Sequence, residues 1–344
     1  MDEGRRRVIG IGAAMAGVLA ARGAVAQTAA GATPPAVAAD AAGRAAAPPA
    51  LRLLSFAGPD GAPRLGAIGA SGRVVDLRAA SGGGGPADMV ALIAGGPAAL
   101  AEARRLAVSP GADAPEPGTL RLLAPIAPLA RNVYAVGWNY LEHFEEGNSR
   151  YGKRDLPAHP VFFTKGVHTL NGPHDPIPYD PAVSTQIDWE GELAVVVGSR
   201  GRNIAEADAL GHVFGYTVIN DTTARDMQHD HGGQWFKGKS LDGHGPMGPW
   251  IVPAADLDYD SLDLETRVNG VVKQSVNTRL MYFKVPRIIA ELSRGMTLEP
   301  GDIIATGTPS GIGVARTPPE FLKPGDVMET TIAQIGTLRN VIGA

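Results

Sequence analysis

Cysteine is missing from all 344 residues. Its absence excludes disulfide frameworks, thiolate-held zinc, iron–sulfur clusters and cysteine nucleophiles, so any metal must be held by oxygen or imidazole. Aromatic residues are scarce at 6%, and neither sign of charge dominates: 31 Lys and Arg face 35 Asp and Glu, a formal net charge of −4. Neutralising nucleic-acid phosphates takes a basic excess, so nucleic acid is excluded as a partner. A membrane-spanning helix needs about 20 apolar residues. The apolar stretch Val8 to Ala21 is shorter and contains Gly10, Gly12 and Gly17. Turn chemistry, by contrast, is abundant, with 45 Gly and 28 Pro. Together these features predict a strand-rich, turn-rich globule, long enough for two domains of ordinary size.

Residues 1–26 read as an export signal. Arg5, Arg6 and Arg7 form a positive start, Val8 to Ala21 a short apolar core, and Ala24-Val25-Ala26 a small-residue cleavage site. The adjacent arginines resemble a twin-arginine signal without its flanking Ser and Phe-Leu, and a general secretory signal is the alternative. A periplasmic or secreted protein without stable membrane insertion follows, or a cytoplasmic one if the signal is not used. Residues 27–50, rich in Ala and Pro, read as a disordered tether. In 51–128, short apolar runs at Leu51–Leu54, Leu65–Ile68 and Val74–Leu77 precede a helical segment from Ala87 to Leu106, broken at Gly95-Gly96-Pro97. This block reads as a small accessory domain. From 129 to 344 strand-like runs recur at Val133–Val136, Leu193–Val197, Gly215–Ile219, Leu264–Val268 and Ile303–Thr306. Two of the later strands are announced by Pro-Gly-Asp turns, at 300–302 and 324–326.

Asp188, Glu190 and Glu192 alternate just before the apolar run Leu193–Val197. In a strand they would share one face. Carboxylates entering a core repel one another and resist desolvation unless a cation neutralises them. A solvated acidic edge strand is the other reading. A second apolar strand, Phe214–Ile219, ends directly in Asn220-Asp221 and adds a carboxylate at a strand end. Glu190, Glu192 and Asp221 then make an all-oxygen set suited to Mg²⁺ or Mn²⁺ rather than zinc.

Four strings occur in order: Asp188-x-Glu190-x-Glu192-Leu193, Asn220-Asp221-x-x-Ala224-Arg225-Asp226-x-Gln228, Gly238-Lys239-Ser240-x-Asp242, and Gly307-Thr308-Pro309-Ser310-Gly311-Ile312-Gly313. Together they resemble the fumarylacetoacetate hydrolase family from about Arg131 to the C-terminus. Residues 51–128 resemble the small N-terminal α+β domain many members carry. The resemblance implies a mixed α/β, β-rich roll, usually a homodimer, with Mg²⁺ or Mn²⁺ on the carboxylates matching Glu190, Glu192 and Asp221. It also implies that Lys239 is the active-site lysine, that Arg225 and Gln228 face a bound anion, and that Lys165, in a Phe-x-Lys element, lies near the substrate. Asp226 between Arg225 and Gln228 reads as structural support.

His143 and Glu146 stand three apart, so one helical turn brings imidazole and carboxylate together as a general-base dyad. Hydrolytic and decarboxylating members of the resembled family carry such a His-x-x-Glu. His229-Asp230-His231 reads as a loop before Gly232-Gly233 rather than as a zinc site. The Gly307–Gly313 string lacks the Lys-Ser/Thr of a phosphate loop and reads as a turn whose amides and Thr308 hydroxyl meet a substrate carboxylate.

The expected activity is therefore metal-dependent hydrolysis of a carbon–carbon bond in an acylpyruvate-like 2,4-dioxo acid. Oxaloacetate-type decarboxylation, 2-oxo-dienoate isomerisation or hydration, and ureidoglycolate lyase activity are the alternatives on the same site. A non-enzymatic metal- or carboxylate-binding module is the alternative outside catalysis. His143, Glu146 and Lys239 weigh against that last reading, because binding alone needs neither a base nor an oxyanion donor.

Overall fold

Runs rich in β-branched residues become strands, and the Gly- and Pro-containing segments between them become turns. A computed structural model describes residues 50–343, the side chains of Arg150 and Tyr151 excepted. The signal expected over 1–26, and all but the last residue of the 27–50 tether, lie outside the described residues.

The chain enters through β1 (Arg52–Ala57), β2 (Pro63–Ile68) and β3 (Val74–Asp76), then α1 (Leu77–Ala80), α2 (Met89–Ala94) and α3 (Gly96–Ala107). Helices α2 and α3 part at the expected break, where Gly96 takes a left-handed φ of +60° that costs glycine nothing. The carboxylates of Asp76 and Asp88 cap α1 and α2 by accepting from the backbone N–H of Ala79 and Ala91. Next come β4 (Val133–Gly137), α4 (Leu141–Tyr151), β5 (Val161–Lys165), β6 (Gly191–Val197) and β7 (Val213–Asn220). They are followed by α5 (Arg225–Asp230), α6 (Phe236–Lys239), β8 (Gly245–Pro253), β9 (Asp263–Val268), β10 (Val271–Asn277) and α7 (Val285–Ser293). The chain closes with β11 (Ile303–Ala305), β12 (Val327–Ile332) and β13 (Gly336–Val341). Both Pro-Gly-Asp turns lead into strands, β11 and β12.

The result is a mixed α/β, sheet-rich fold with open sheets. The larger sheet has eleven strands, with the path β3-β2-β1-β8-β7-β6-β11-β4-β5 and two short strands, Leu122–Leu123 and Leu170–Asn171, pairing with β1 and β8. Along the path only β11 and β4 run parallel. Strand β1 pairs with β8, Leu53 opposite Ile251, so residues 51–128 extend the sheet of the C-terminal block. The smaller sheet runs β10-β9-β12-β13.

Every residue of β6 is buried, because the large sheet is covered on both faces. Leu193, Val195 and Val197 pack with Ile288, Ile289 and Leu292 of α7 and with Leu264 and Ile332 of the small sheet. Ala194 and Val196 point the other way, toward Leu92 and Ile93 of α2 and Ala103 and Ala107 of α3. This two-sided burial explains the continuous apolar run and leaves the strand ends as the place for polar chemistry. Among the described residues no helix is long and apolar enough to cross a membrane.

Candidate active site

The site forms where β6 and β7 meet. Ile219 pairs with Glu192 and Asn220 with Gly191, and Asp221 N donates to the Glu190 carbonyl at 2.8 Å. Asn220 locks this junction: its Oδ1 accepts from Glu190 N at 3.0 Å, and its Nδ2 donates to Thr330 Oγ1 of β12 at 3.0 Å. The register thereby brings carboxylate oxygens of Glu190, Glu192 and Asp221, all buried, within 4.8 Å of one another.

Three cations meet them. Lys239 Nζ donates to Glu190 Oε2 at 2.5 Å and to Asp221 Oδ2 at 2.7 Å. Lys165 Nζ lies 2.8 Å from Asp221 Oδ1, an ion contact without hydrogen-bond alignment. The Arg225 guanidinium reaches Glu190 Oε1 at 2.7 Å through Nη2, Asp188 Oδ2 at 2.8 Å through Nε, and Gln228 Oε1 at 3.1 Å through Nη1. Four buried carboxylates, Asp188, Glu190, Glu192 and Asp221, thus face three buried cations, Lys165, Arg225 and Lys239. One negative charge is left over.

The electrostatic surroundings place that imbalance at Glu192. Burial works against the charge on Glu190, but the Lys239 ammonium and the Arg225 guanidinium outweigh it and hold the carboxyl at about 2. For Glu192, burial and then the charges of Asp221 and Glu190 push the carboxyl well above the ordinary range. Its Oε2 accepts from Gly307 N at 2.7 Å, which offsets only part of that. Burial also disfavours the Lys239 ammonium, yet Asp221 and Glu190 raise its affinity for the proton. At Lys165 burial wins over the attraction of Asp221 and lowers it. Hard oxygen donors whose full ionisation the three neighbouring cations do not balance fit a divalent cation such as Mg²⁺ or Mn²⁺, held by Glu190, Glu192 and Asp221.

Above the carboxylates opens a cavity of about 390 Å³, lined by Glu190, Glu192, His143, Lys239 and Thr308 and walled by Trp138, Phe163 and Trp235. The Trp138 and Trp235 rings meet edge to face with centroids 4.9 Å apart, and Phe163 meets Trp235 at 5.2 Å. Gly137 makes room for this wall, since a Cβ there would lie 2.4 Å from the Trp235 ring. Helix α4 brings His143 Nδ1 to 3.2 Å from Glu146 Oε2. A carboxylate only accepts, so Nδ1 is the donor in this contact, and in the neutral imidazole Nε2 is then the nitrogen that can accept a proton. The other Glu146 oxygen accepts from Gly311 N at 3.0 Å, tying the helix to the loop that carries Thr308.

Residues 132–343 match the family described as fumarylacetoacetate (FAA) hydrolase C-terminal. The chain belongs to the fumarylacetoacetate hydrolase family. It is 46% identical over 266 residues to the oxaloacetate tautomerase YisK of Bacillus subtilis, covering 75% of this chain and 87% of that protein. It is 38% identical over 296 residues to the human mitochondrial oxaloacetate tautomerase FAHD2A, covering 85% and 91%. Among solved structures, a fumarylacetoacetate hydrolase of Exiguobacterium antarcticum superposes with a TM-score of 0.73 at 41% identity, covering 86% of this chain and 99% of that one. A 2-hydroxyhepta-2,4-diene-1,7-dioate isomerase of Mycobacterium marinum gives 0.63 at 33% identity, covering 85% and 98%.

In this fumarylacetoacetate hydrolase family member the sequence-selected residues fall into two groups. His143, Glu190, Glu192, Arg225, Gln228, Lys239 and Thr308 line the cavity, with Glu146 and Asp221 in contact with members of that set. Lys165, expected near the substrate, lies fully buried beneath Asp221, where its Nζ donates to the Lys239 carbonyl at 2.6 Å and to the Thr222 carbonyl at 3.2 Å. Asp226 serves as a brace, accepting from Ser184 Oγ at 2.7 Å. Asp188 corrects the strand-face reading. Ile187–Asp188 forms a separate two-residue strand, with Trp189 and Glu190 between it and β6, and the carboxylates that converge are Glu190, Glu192 and Asp221 without Asp188. Its carboxylate instead accepts from Arg225 Nε, from Gly313 N at 2.7 Å and from Val314 N at 3.0 Å. It aims Arg225 and anchors the end of the Gly307–Gly313 loop, a role spacing alone did not reveal. His229 lines the cavity, but among the described residues the three carboxylates are the cluster with converging metal-ligand atoms.

Proposed function

We propose that this enzyme moves a proton at the carbon beside the 2-oxo group of oxaloacetate or a closely similar 2-oxo dicarboxylic acid, interconverting its keto and enol forms. One observation carries the reading: a proton-accepting His143 Nε2, fixed by Glu146, shares one small cavity with three carboxylates suited to Mg²⁺ or Mn²⁺. Both named tautomerase relatives act on oxaloacetate, which supplies the substrate class. In the enolisation His143 takes the proton from C3, the C3–H electron pair becomes the C2–C3 double bond, the C2–O π pair moves to oxygen, and that oxygen takes a proton from solvent while His143 returns its own to solvent. Nothing is oxidised or reduced. A divalent cation on Glu190, Glu192 and Asp221 would supply Lewis acidity toward the 2-oxo carboxylate end. Lys239 and Gln228 stand where negative charge would collect, and the aromatic wall keeps water from the reacting carbon. Arg225 holds Glu190 and Gln228 in place.

The second reading keeps the same residues and adds a water. His143 would activate it against the distal carbonyl of an acylpyruvate, giving carbon–carbon hydrolysis, and the solved fumarylacetoacetate hydrolase neighbour favours this. Oxaloacetate decarboxylation reaches an enolate by breaking C3–C4 with loss of CO₂ rather than by losing a proton from C3, whereas dienoate isomerisation shares the proton transfer. Incubation with Mn²⁺ or Mg²⁺ and either oxaloacetate or a panel of acylpyruvates separates these readings. Decay of the ultraviolet enol band without CO₂ release supports tautomerisation; CO₂ release or acylpyruvate cleavage as the faster reaction would replace it. No turnover of any of these acids would leave a binding module. We also propose a homodimer, tested by sedimentation, and export, tested by the mature N-terminus: a start near Gln27 supports it and an intact Met1 overturns it.

A further inference from the structure

Strand β10 is built the wrong way round for a solvent-facing strand. It exposes Val271 and Val272 and buries Gln274, which is 1% exposed. A buried polar side chain calls for an explanation more than an exposed valine does, and here all the partners of Gln274 belong to the active site. Its Oε1 accepts from Gly191 N at 3.0 Å, between Glu190 and Glu192 at the start of β6. Its Nε2 donates to Thr308 Oγ1 at 2.7 Å and to the Pro309 carbonyl at 3.0 Å. Thr308 Oγ1 in turn donates to the Gly191 carbonyl at 3.1 Å, closing a ring of hydrogen bonds. The ring needs the small sheet to come close, and Gly191 allows it: a Cβ there would stand 2.2 Å from Thr266 Oγ1, on the residue paired with Gln274.

The orientation of the amide is not a matter of choice. An N–H of Gly191 demands the oxygen, and the Pro309 carbonyl demands the nitrogen. Gln274 must therefore donate to Thr308, and the hydroxyl proton of Thr308 can go only to the Gly191 carbonyl or into the cavity that Thr308 lines. We propose that Gln274 is a positioning residue, reaching the site from the second sheet, that sets Thr308 as a hydrogen-bond donor toward the carboxylate of a bound oxo acid. The proposal rests on the reading of this cavity as an oxo-acid site. A ligand carboxylate displaces the weaker, longer contact to the Gly191 carbonyl, while the Gln274 donation keeps the hydroxyl from turning its lone pairs to the anion.

The test uses oxalate, a small dicarboxylate, as the probe. Mn²⁺ affinity and oxalate affinity of the Mn²⁺-loaded full chain are measured by calorimetry for the wild type, Gln274→Met, Thr308→Val and the double variant. Loss of one charge-assisted hydrogen bond predicts oxalate binding about tenfold weaker in Gln274→Met, with Mn²⁺ affinity changed by less than about threefold. The double variant should match Thr308→Val within about twofold, because the amide then has no hydroxyl to orient. Additive losses, or an equal loss of Mn²⁺ and oxalate affinity, would overturn the proposal and leave a merely structural glutamine. Gln274→Glu covers the case in which the methionine variant does not fold. It retains the acceptor for Gly191 and captures the Thr308 proton, so its oxalate penalty should shrink in the Thr308→Val background; an unchanged penalty overturns the proposal. Wild-type protein that binds Mn²⁺ but not oxalate would overturn the oxo-acid reading and the role of Gln274 together, which distinguishes that failure from the others.

Discussion

Glu146→Gln changes one atom and reverses a proton. In the native site one Glu146 oxygen accepts from Gly311 N and the other holds His143 Nδ1. Glutamine can keep the Gly311 bond only by turning its oxygen toward Gly311, which points its NH₂ at Nδ1. The imidazole must then accept at Nδ1 and carry its proton on Nε2, so it is no longer a base. The opposite amide orientation preserves the active tautomer but sets NH₂ against the Gly311 N–H, an unmade, half-buried hydrogen bond costing about 1–3 kcal/mol. That cost holds the active tautomer to about one part in 5 to 160. Loss of the carboxylate charge that supports the imidazolium lowers the rate further, within the 10²–10⁴ range of about 3–5 kcal/mol for positioned proton transfer. The expected outcome is a kcat for oxaloacetate enolisation about 10²-fold or more below wild type. Urea denaturation should show stability within about 1 kcal/mol of wild type, because Gly311 keeps its acceptor. Activity within about threefold of wild type would refute the assignment of His143 as the base oriented by Glu146.

Three further outcomes follow from the same charge balance. Glu192→Gln removes the carboxyl that burial and its acidic neighbours push upward, so the metal-free variant should be at least as stable as wild type. It should lose the increase in melting temperature with Mn²⁺, worth about 2.7 kcal/mol at one hundred times Kd; an unchanged shift would remove Glu192 from the ligand set. Lys239→Met leaves Glu190 and Asp221 short of a cation, a loss of about 3–5 kcal/mol without metal. The stabilisation by Mn²⁺ should be larger in it than in wild type, and an equal increment would show that ammonium and metal do not share the same negative charge. His244 is held neutral by burial and by the nearby Lys165 charge, which bring it from 6.5 to about 4. The unfolded chain therefore takes up the proton first as pH falls. The stabilising contribution, present above about pH 6.5, is lost on the way down to about pH 4 and amounts to at most about 3 kcal/mol. Stability measured at pH 7 and pH 4.5 should fall less in His244→Gln than in wild type; equal falls would refute the assignment.

The sequence by itself determined the texture of the molecule and the identity of its charged centre. Strand runs such as Leu193–Val197 and Ile303–Thr306, the Pro-Gly-Asp turns and the helix break at Gly96 are local matters, decided by side-chain branching and backbone freedom within a few residues. The ordered motifs singled out Glu190, Glu192, Asp221 and Lys239, and the i to i+3 spacing His143 and Glu146, because each motif rests on residue type and short range; the fold places these side chains around one cavity. Tertiary structure alone decided the rest. Asp188 left the expected strand face because the strand is interrupted between Asp188 and Gly191, and its carboxylate turns to Arg225, Gly313 and Val314. Lys165 went beneath Asp221 rather than into the cavity. Gln274, 83 residues from Gly191, met it only because two sheets pack at a glycine. Hydrogen bonds and ion pairs act over about 3 Å of space whatever the distance along the chain, so partners fixed by the packing of separate sheets leave no periodicity in the sequence to read.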